Sequence, residues 1–167
     1  VIGWPSLAAT SIVQGRLAAL NALKTRVESF PTIFPFGIYT IPEISYVGIT
    51  EEEAHELDYK IVVGRCRYHE LPRGQISGEI EGMLKMIVHK DTREILGVHI
   101  LGGGATEIIH IAQIAIMYNA KIDIFIDNSL ERFTSLFAAA GNPYCVFEIS
   151  FKDLQKITNG SIREIIE

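Results

Sequence analysis

The chain has 167 residues, 48% of them hydrophobic and 21% charged, enough for one packed domain and too apolar for a disordered segment. A net charge of −5, with no run of Lys or Arg, argues against nucleic-acid binding. No apolar run reaches membrane-spanning length, and the two cysteines form no CxxC pair, so the reading is a reduced, cytoplasmic protein with no membrane partner.

Ser6 is read as the cap of a helix running to about Lys24, with small residues at Ala8, Ala9, Gly15, Ala18 and Ala19 that let another backbone approach. Only Val1 to Pro5 precede it, too little to form a layer against it. Together with the initial valine, this orphan helix reads as part of something cut from a longer protein. Phe30 to Phe36 is rich in Pro and Phe and resists helix, which places a boundary near Pro31.

Gly37 to Val47 reads as one extended segment with a Pro-Glu pair inside it. After a turn at Gly48, Thr50 and Glu53 have the spacing of a capping box, and Glu51 to Glu53 favour the positive end of a helix. Tyr59 to Arg67 is β-branched and strand-like, whereas Leu71 to Gly78 reads as a loop or irregular strand. The clearest signal is a hairpin: Gly82 to His89 and Glu94 to Leu101 flank the polar turn 90–93. Leu84, Met86 and Val88 make one face of its first arm wholly apolar; Met83, Lys85, Ile87 and His89 make the other mixed.

Gly102-Gly103-Gly104 opens a helix from about Ala105 to Tyr118, apolar around most of its circumference. Such a helix must be buried on more than one side, here by the sheet and by another subunit. Beyond it, Ile122 to Ile126 is short and apolar, Leu130 to Ala140 reads as helix, Gly141-Asn142-Pro143 stops it, and Tyr144 to Phe151 reads as a strand. Leu154 to Glu167 reads as two helical patches broken at Asn159-Gly160.

Chemistry is sparse. The triple glycine invites a phosphate loop, but in a GxGxxG frame the third glycine falls on Glu107, so a tight turn is favoured. His55, His69, His89, His99 and His110 lack metal-ligand spacing, and no metal site is expected. Glu107 and His110 are spaced to form a carboxylate–imidazole pair, with a plain ion pair or hydrogen bond as the commoner outcome. Cys66 and Cys145 read as packing residues, and no catalytic set emerges.

The string IYTIPEISYVGITEEEA, followed by GMLKMIVHKDTREILGVHILGGGATEIIHIAQIAI, resembles the C-terminal interface domain of the flavin-dependent pyridine nucleotide–disulfide oxidoreductases. Within that family the soluble pyridine nucleotide transhydrogenases are the most similar, with dihydrolipoamide dehydrogenases and mercuric reductases near. The resemblance covers about Val1 to Ile126. It implies an α+β fold: a largely antiparallel sheet with helices packed against it. It divides the chain into the last helix of an FAD-binding domain (1–30), a dimerisation domain (31–126) and a divergent tail of that domain (127–167).

The family brings FAD and NAD(P) as cofactors of an intact parent, upstream domains that bind them, and a homodimer as partner. Leu7 and Ala8 match the helix start that points at the flavin, so they are the candidate cofactor-binding residues. The parent would pass hydride between NADPH and NAD through FAD; this piece alone would bind no cofactor. The alternative is a non-catalytic dimerisation or binding module, or a degenerate paralogue. At the family's C-terminal His, Pro and Glu stand Arg132, Phe133 and Phe137, so no catalytic residue carries over.

Overall fold

The computed structural model describes residues 6–24, 32–142 and 145–165. Its centre is a five-stranded antiparallel sheet in the order β1-β2-β5-β4-β3. The strands are β1 (Phe36–Ile38), β2 (Ile44–Gly48), β3 (Ile61–Arg67), β4 (Gly82–His89) and β5 (Ile95–Gly102). The long helix α4 (Ala105–Met117) lies across β1, β2 and β5. Between them Val47, Val98, Ile100, Ala105 and Ile109 are almost wholly shielded from water, with Leu84, Met86, Ala112 and Ile116 packed around them. This is the α+β architecture expected.

The β4–β5 hairpin forms where the alternation placed it. His89 closes its turn: its Nδ1 accepts the amides of Asp91 and Thr92, both at 3.2 Å. The capping box is also present on α2 (Glu51–Glu56), with Glu53 N–H donating to the Thr50 hydroxyl at 3.1 Å and Thr50 N–H to the Glu53 carboxylate at 2.7 Å.

Five expectations are corrected. The segment 37–47 is not one extended run but the hairpin β1–β2, whose Ile41–Pro42 peptide is cis. Leu71 to Gly78 contains a helix, α3 (Pro72–Ser77), with proline at its start and Gly78 in the left-handed region at its end. Gly74 obscured those two signals by lowering the helix propensity between them. Its own place is dictated by packing, since a Cβ there would stand 2.3 Å from the Tyr68 carbonyl oxygen.

The helix expected over 130–140 is a short 3-10 segment at Asn128–Arg132 followed by strand β7 (Leu136–Asn142). Pairing with β8 (Cys145–Ile149) overrides the local preference of three alanines. Near the C-terminus α5 (Phe151–Thr158) is helical, but the second patch is strand β9 (Ser161–Arg163), parallel to β6 (Phe125–Asp127). Finally, α1 (Ala8–Ala22) has Leu7 rather than Ser6 at its cap position, and the Leu7 side chain makes no capping bond. Ser6 has a φ of 53°, outside the extended geometry of a capping residue. The boundary near Pro31 and the stop at Pro143 lie outside the described residues.

Candidate functional site

The site is built around α4. Its N-cap, Gly104, has no side chain to offer, and the missing acceptor comes from the β1–β2 hairpin instead. The carboxylate of Glu43 accepts the Thr106 amide at 2.9 Å and the Thr106 hydroxyl at 2.7 Å. A negative charge is thus held against the positive end of the helix. Behind it, the buried Ser45 hydroxyl donates to the Ala105 carbonyl at 2.6 Å. The Pro-Glu pair singled out in the sequence therefore orients the long helix on the sheet.

Fixed in that way, α4 turns Ala105 and Ile109 into the core and leaves a second apolar face in water. Ile108 is 40% exposed, Ile111 71%, Ile114 58%, Met117 57% and Tyr118 80%. These positions recur at three- and four-residue spacing, so they form a stripe along one side of the helix. Glu107 and His110 do not pair as their spacing allowed; His110 Nδ1 instead lies 3.1 Å from the Gln113 side-chain oxygen.

The triple glycine has a packing role. A Cβ on Gly102 would stand 2.6 Å from the Tyr68 ring, and one on Gly103 would stand 2.9 Å from the Glu79 carboxylate. The Tyr68 hydroxyl donates to the Gly103 carbonyl at 3.3 Å. Burial, then the charges of Glu79 and Glu43, hold the Tyr68 phenol above its ordinary pKa. A loop faced by carboxylates is a poor seat for phosphate, and the tight-turn reading stands.

The opposite face of the sheet carries a cross-strand row, Phe36–Tyr46–His99–Lys85–Arg65. The first three rings stack, with centroids 4.5 and 5.6 Å apart. Glu51 bridges the last two residues, accepting from Lys85 at 3.0 Å and from Arg65 at 2.9 Å. Sequence spacing could not show this, because the three residues come from different elements.

Two titrations should separate here. The Thr106 amide and then its hydroxyl hold the Glu43 carboxyl below the carboxylate range, as the Lys85 hydrogen bond chiefly does for Glu51. A depressed acid stabilises the fold above its unfolded pKa, and that stability is lost as pH falls through the folded value. Burial likewise holds His99 below its ordinary 6.5, opposed by the bond from its ring to the Ile49 carbonyl. The unfolded chain then takes up a proton that the folded ring declines, so stability also falls as pH drops below 6.5. Thermal melts should show a first loss as pH falls below 6.5, which His99→Gln flattens. A second loss below about pH 4.5 should be reduced by Glu43→Gln.

Leu7 and Ala8 stand at the start of α1, Leu7 half-buried and Ala8 exposed. The Leu7 carbonyl accepts the Ser11 amide and the Thr10 hydroxyl, both at 2.9 Å. The cavities at the sheet are lined by other residues. Cys66 is half-buried and Cys145 exposed, both free thiols. Among the described residues no three His, Cys, Asp or Glu side chains gather as a metal would need, and no helix is long and apolar enough to cross a membrane.

An antiparallel sheet, one long helix across it and an uncovered apolar stripe on that helix are what a subunit-contact domain requires. The sequence profile of the pyridine nucleotide-disulphide oxidoreductase dimerisation domain matches residues 34–131. The chain belongs to that family.

Members of the pyridine nucleotide-disulphide oxidoreductase family also answer to direct comparison. A soluble pyridine nucleotide transhydrogenase of Mycobacterium tuberculosis is 46% identical over 127 residues, 76% of this chain and 27% of its own. That of Marinobacter nauticus is 50% identical over 113 residues, 68% of this chain and 24% of its own. The chain thus spans about a quarter of the curated relatives it matches. Among solved structures, the HOCl-induced flavoprotein disulfide reductase RclA of Escherichia coli superposes with a TM-score of 0.59 at 26% identity, over 66% of this chain and 26% of its own. LpdA of M. tuberculosis shares the fold, with a TM-score of 0.61 at 21% identity, over 80% of this chain and 28% of its own.

Proposed function

We propose that this chain is the homodimerisation module of a flavin-dependent oxidoreductase, and that a second copy covers the outer face of α4. The observation that carries the reading is the exposed stripe from Ile108 to Tyr118 on a helix whose opposite face is already buried. A patch of this kind on a two-fold dimer meets its own copy and needs no other partner chemistry. Sedimentation equilibrium of the chain should give a mass near 37 kDa, twice the 18.6 kDa of one copy. A monomer at micromolar concentration counts against the reading.

The intact parent, on this reading, passes hydride between NADPH and NAD through FAD; the relatives it matches are named as soluble pyridine nucleotide transhydrogenases. FAD, when bound, supplies the hydride-accepting ring. The contribution of this chain is the start of α1 at Leu7 and Ala8, where the positive end of a helix favours a developing negative charge. The parent gene product, purified whole, should be yellow and release FAD on denaturation. A colourless parent that takes up no FAD would favour the second reading, a dimerisation module without catalysis. That reading draws on the substitutions at Arg132, Phe133 and Phe137.

A further inference from the structure

On the face of the sheet that carries α4, the helix covers β1, β2 and β5 and leaves β4 and β3 beyond its edge. Cys66, Gly64 and Val62 of β3 stand there opposite Leu84, Met86 and Val88 of β4. They lie on the same face as the core residues Ile100 and Val98, which pair with Leu84 and Met86. Val62 is nevertheless 54% exposed, and Gly64 is likewise exposed. Two hollows open over this half, one of about 420 Å³ at Cys66 and Leu84, the other of about 310 Å³ from Gly64 and Met86 to Val62 and Val88. End to end they make a trench with an uncharged floor beside α4.

The trench has the dimensions of a helix. Two strands span about 10 Å across and a seven-residue strand such as β3 about 23 Å along. With 13 residues, α4 is about 20 Å long and about 10 Å wide. The trench also runs into the exposed stripe of α4, because Ile108 lines its first hollow. One chain therefore presents an apolar helix flank and, alongside it, an apolar trench of matching size. A two-fold axis brings each against the other, so both surfaces are covered in both copies. Gly64 fits this arrangement. A Cβ there would meet no described atom within 4 Å, so no contact within one copy requires glycine at the middle of the trench. Glycine inside a strand often marks the close approach of another backbone.

We infer that α4 of the second copy lies in the β3–β4 trench. The exposed stripe of each helix then meets the sheet of the other copy, and not the same stripe on the other helix. This placement rests on the dimer reading and adds to it the surface that receives the helix.

The test uses the full chain. Gly64→Phe fills the trench at its middle, at a position where an added side chain has room. The variant should fold and be monomeric, with a dissociation constant raised about a hundredfold, as sedimentation velocity and far-UV circular dichroism would read. It is then mixed with Ile111→Glu. In the mixed pair one trench and the helix that enters it are both unaltered, and the two defects share the other contact. The variants should therefore associate at least about tenfold more tightly together than either does alone. In the unaltered chain, N-ethylmaleimide should alkylate Cys66 about tenfold more slowly well above the dissociation constant than below it, followed by peptide mass spectrometry.

A folded Gly64→Phe chain that still dimerises overturns the placement, and so does a Cys66 rate indifferent to protein concentration. No gain on mixing overturns it too, and gives the stripe to another surface of the second copy. In each of these cases the dimer reading stands if the unaltered chain has twice the mass of one copy. An unaltered chain that is monomeric overturns both. If Gly64→Phe does not fold, the Cys66 rate decides alone.

Discussion

Changing Ile111 to glutamate is expected to turn the dimer into a folded monomer. Ile111 is 71% exposed in the single copy, so the carboxylate is solvated there and the monomer keeps its stability within about 0.5 kcal/mol. At a two-fold contact the same change is met twice. Each copy brings an unpaired charge into an apolar contact, at about 3 kcal/mol apiece, which raises the dissociation constant at least about a thousandfold. Ile114→Glu, on the same stripe at 58% exposure, should act the same way. Sedimentation velocity across a concentration series reads the loss, and far-UV circular dichroism checks that the fold persists. Retention of the dimer in both variants would place the contact elsewhere on the molecule.

Gly97→Ala is expected to cost far more stability than a methyl group usually does. Gly97 lies in β5, opposite Gly48 of β2 and Ile87 of β4. A Cβ at Gly97 would stand 2.1 Å from the Ile49 carbonyl oxygen. That oxygen also faces the His99 ring, and the adjoining Ile49 amide is bonded to the Leu96 carbonyl at 3.0 Å. The obstacle is backbone, which cannot rotate aside as a side chain does. Accommodation requires β2 and β5 to part at the joint that carries the core residues Val47 and Val98. A loss of about 3 kcal/mol or more follows, read as a lower midpoint in urea unfolding. As a control, Gly64→Ala on β3, where nothing lies within 4 Å of the added methyl, should change the midpoint little. Comparable losses at both positions would show that the close approach is not what Gly97 provides.

The two substitutions probe different kinds of information. Ile111 was open to sequence reasoning, because a helix apolar nearly all round cannot be satisfied by one sheet alone. Gly97 was not, because nothing in EILGVHIL marks this glycine as the point where another strand's backbone passes. The same division runs through the site. Glu43 stood out in sequence as half of a Pro-Glu pair, yet its partner Thr106 is 63 residues away. Glu51 read as a charge for its own helix, and only the pairing of β3 with β4 brings Arg65 and Lys85 to the same carboxylate oxygen. The Tyr68 ring beneath Gly102 is a further case, because contact between them depends on how β4 and β5 seat the segment after β3.

What the sequence determined by itself was everything governed by neighbours along the chain: the capped start of α2, the β4–β5 hairpin and its polar turn, the two-sided α4. Their periods and caps act within a few residues, and no distant partner contradicts them. The tertiary structure decided the rest. It made a helix of 72–77, where Gly74 is excluded from carrying a side chain by Tyr68, and strands of 136–142 and 161–163, where pairing with β8 and β6 outweighs a weak local preference. Local propensities differ by less than about 1 kcal/mol per residue, so a ladder of hydrogen bonds to a distant strand overrides them readily. It also decided which side of α4 stays in water, because that depends on Glu43 and Ser45 fixing the rotation of the helix over the sheet.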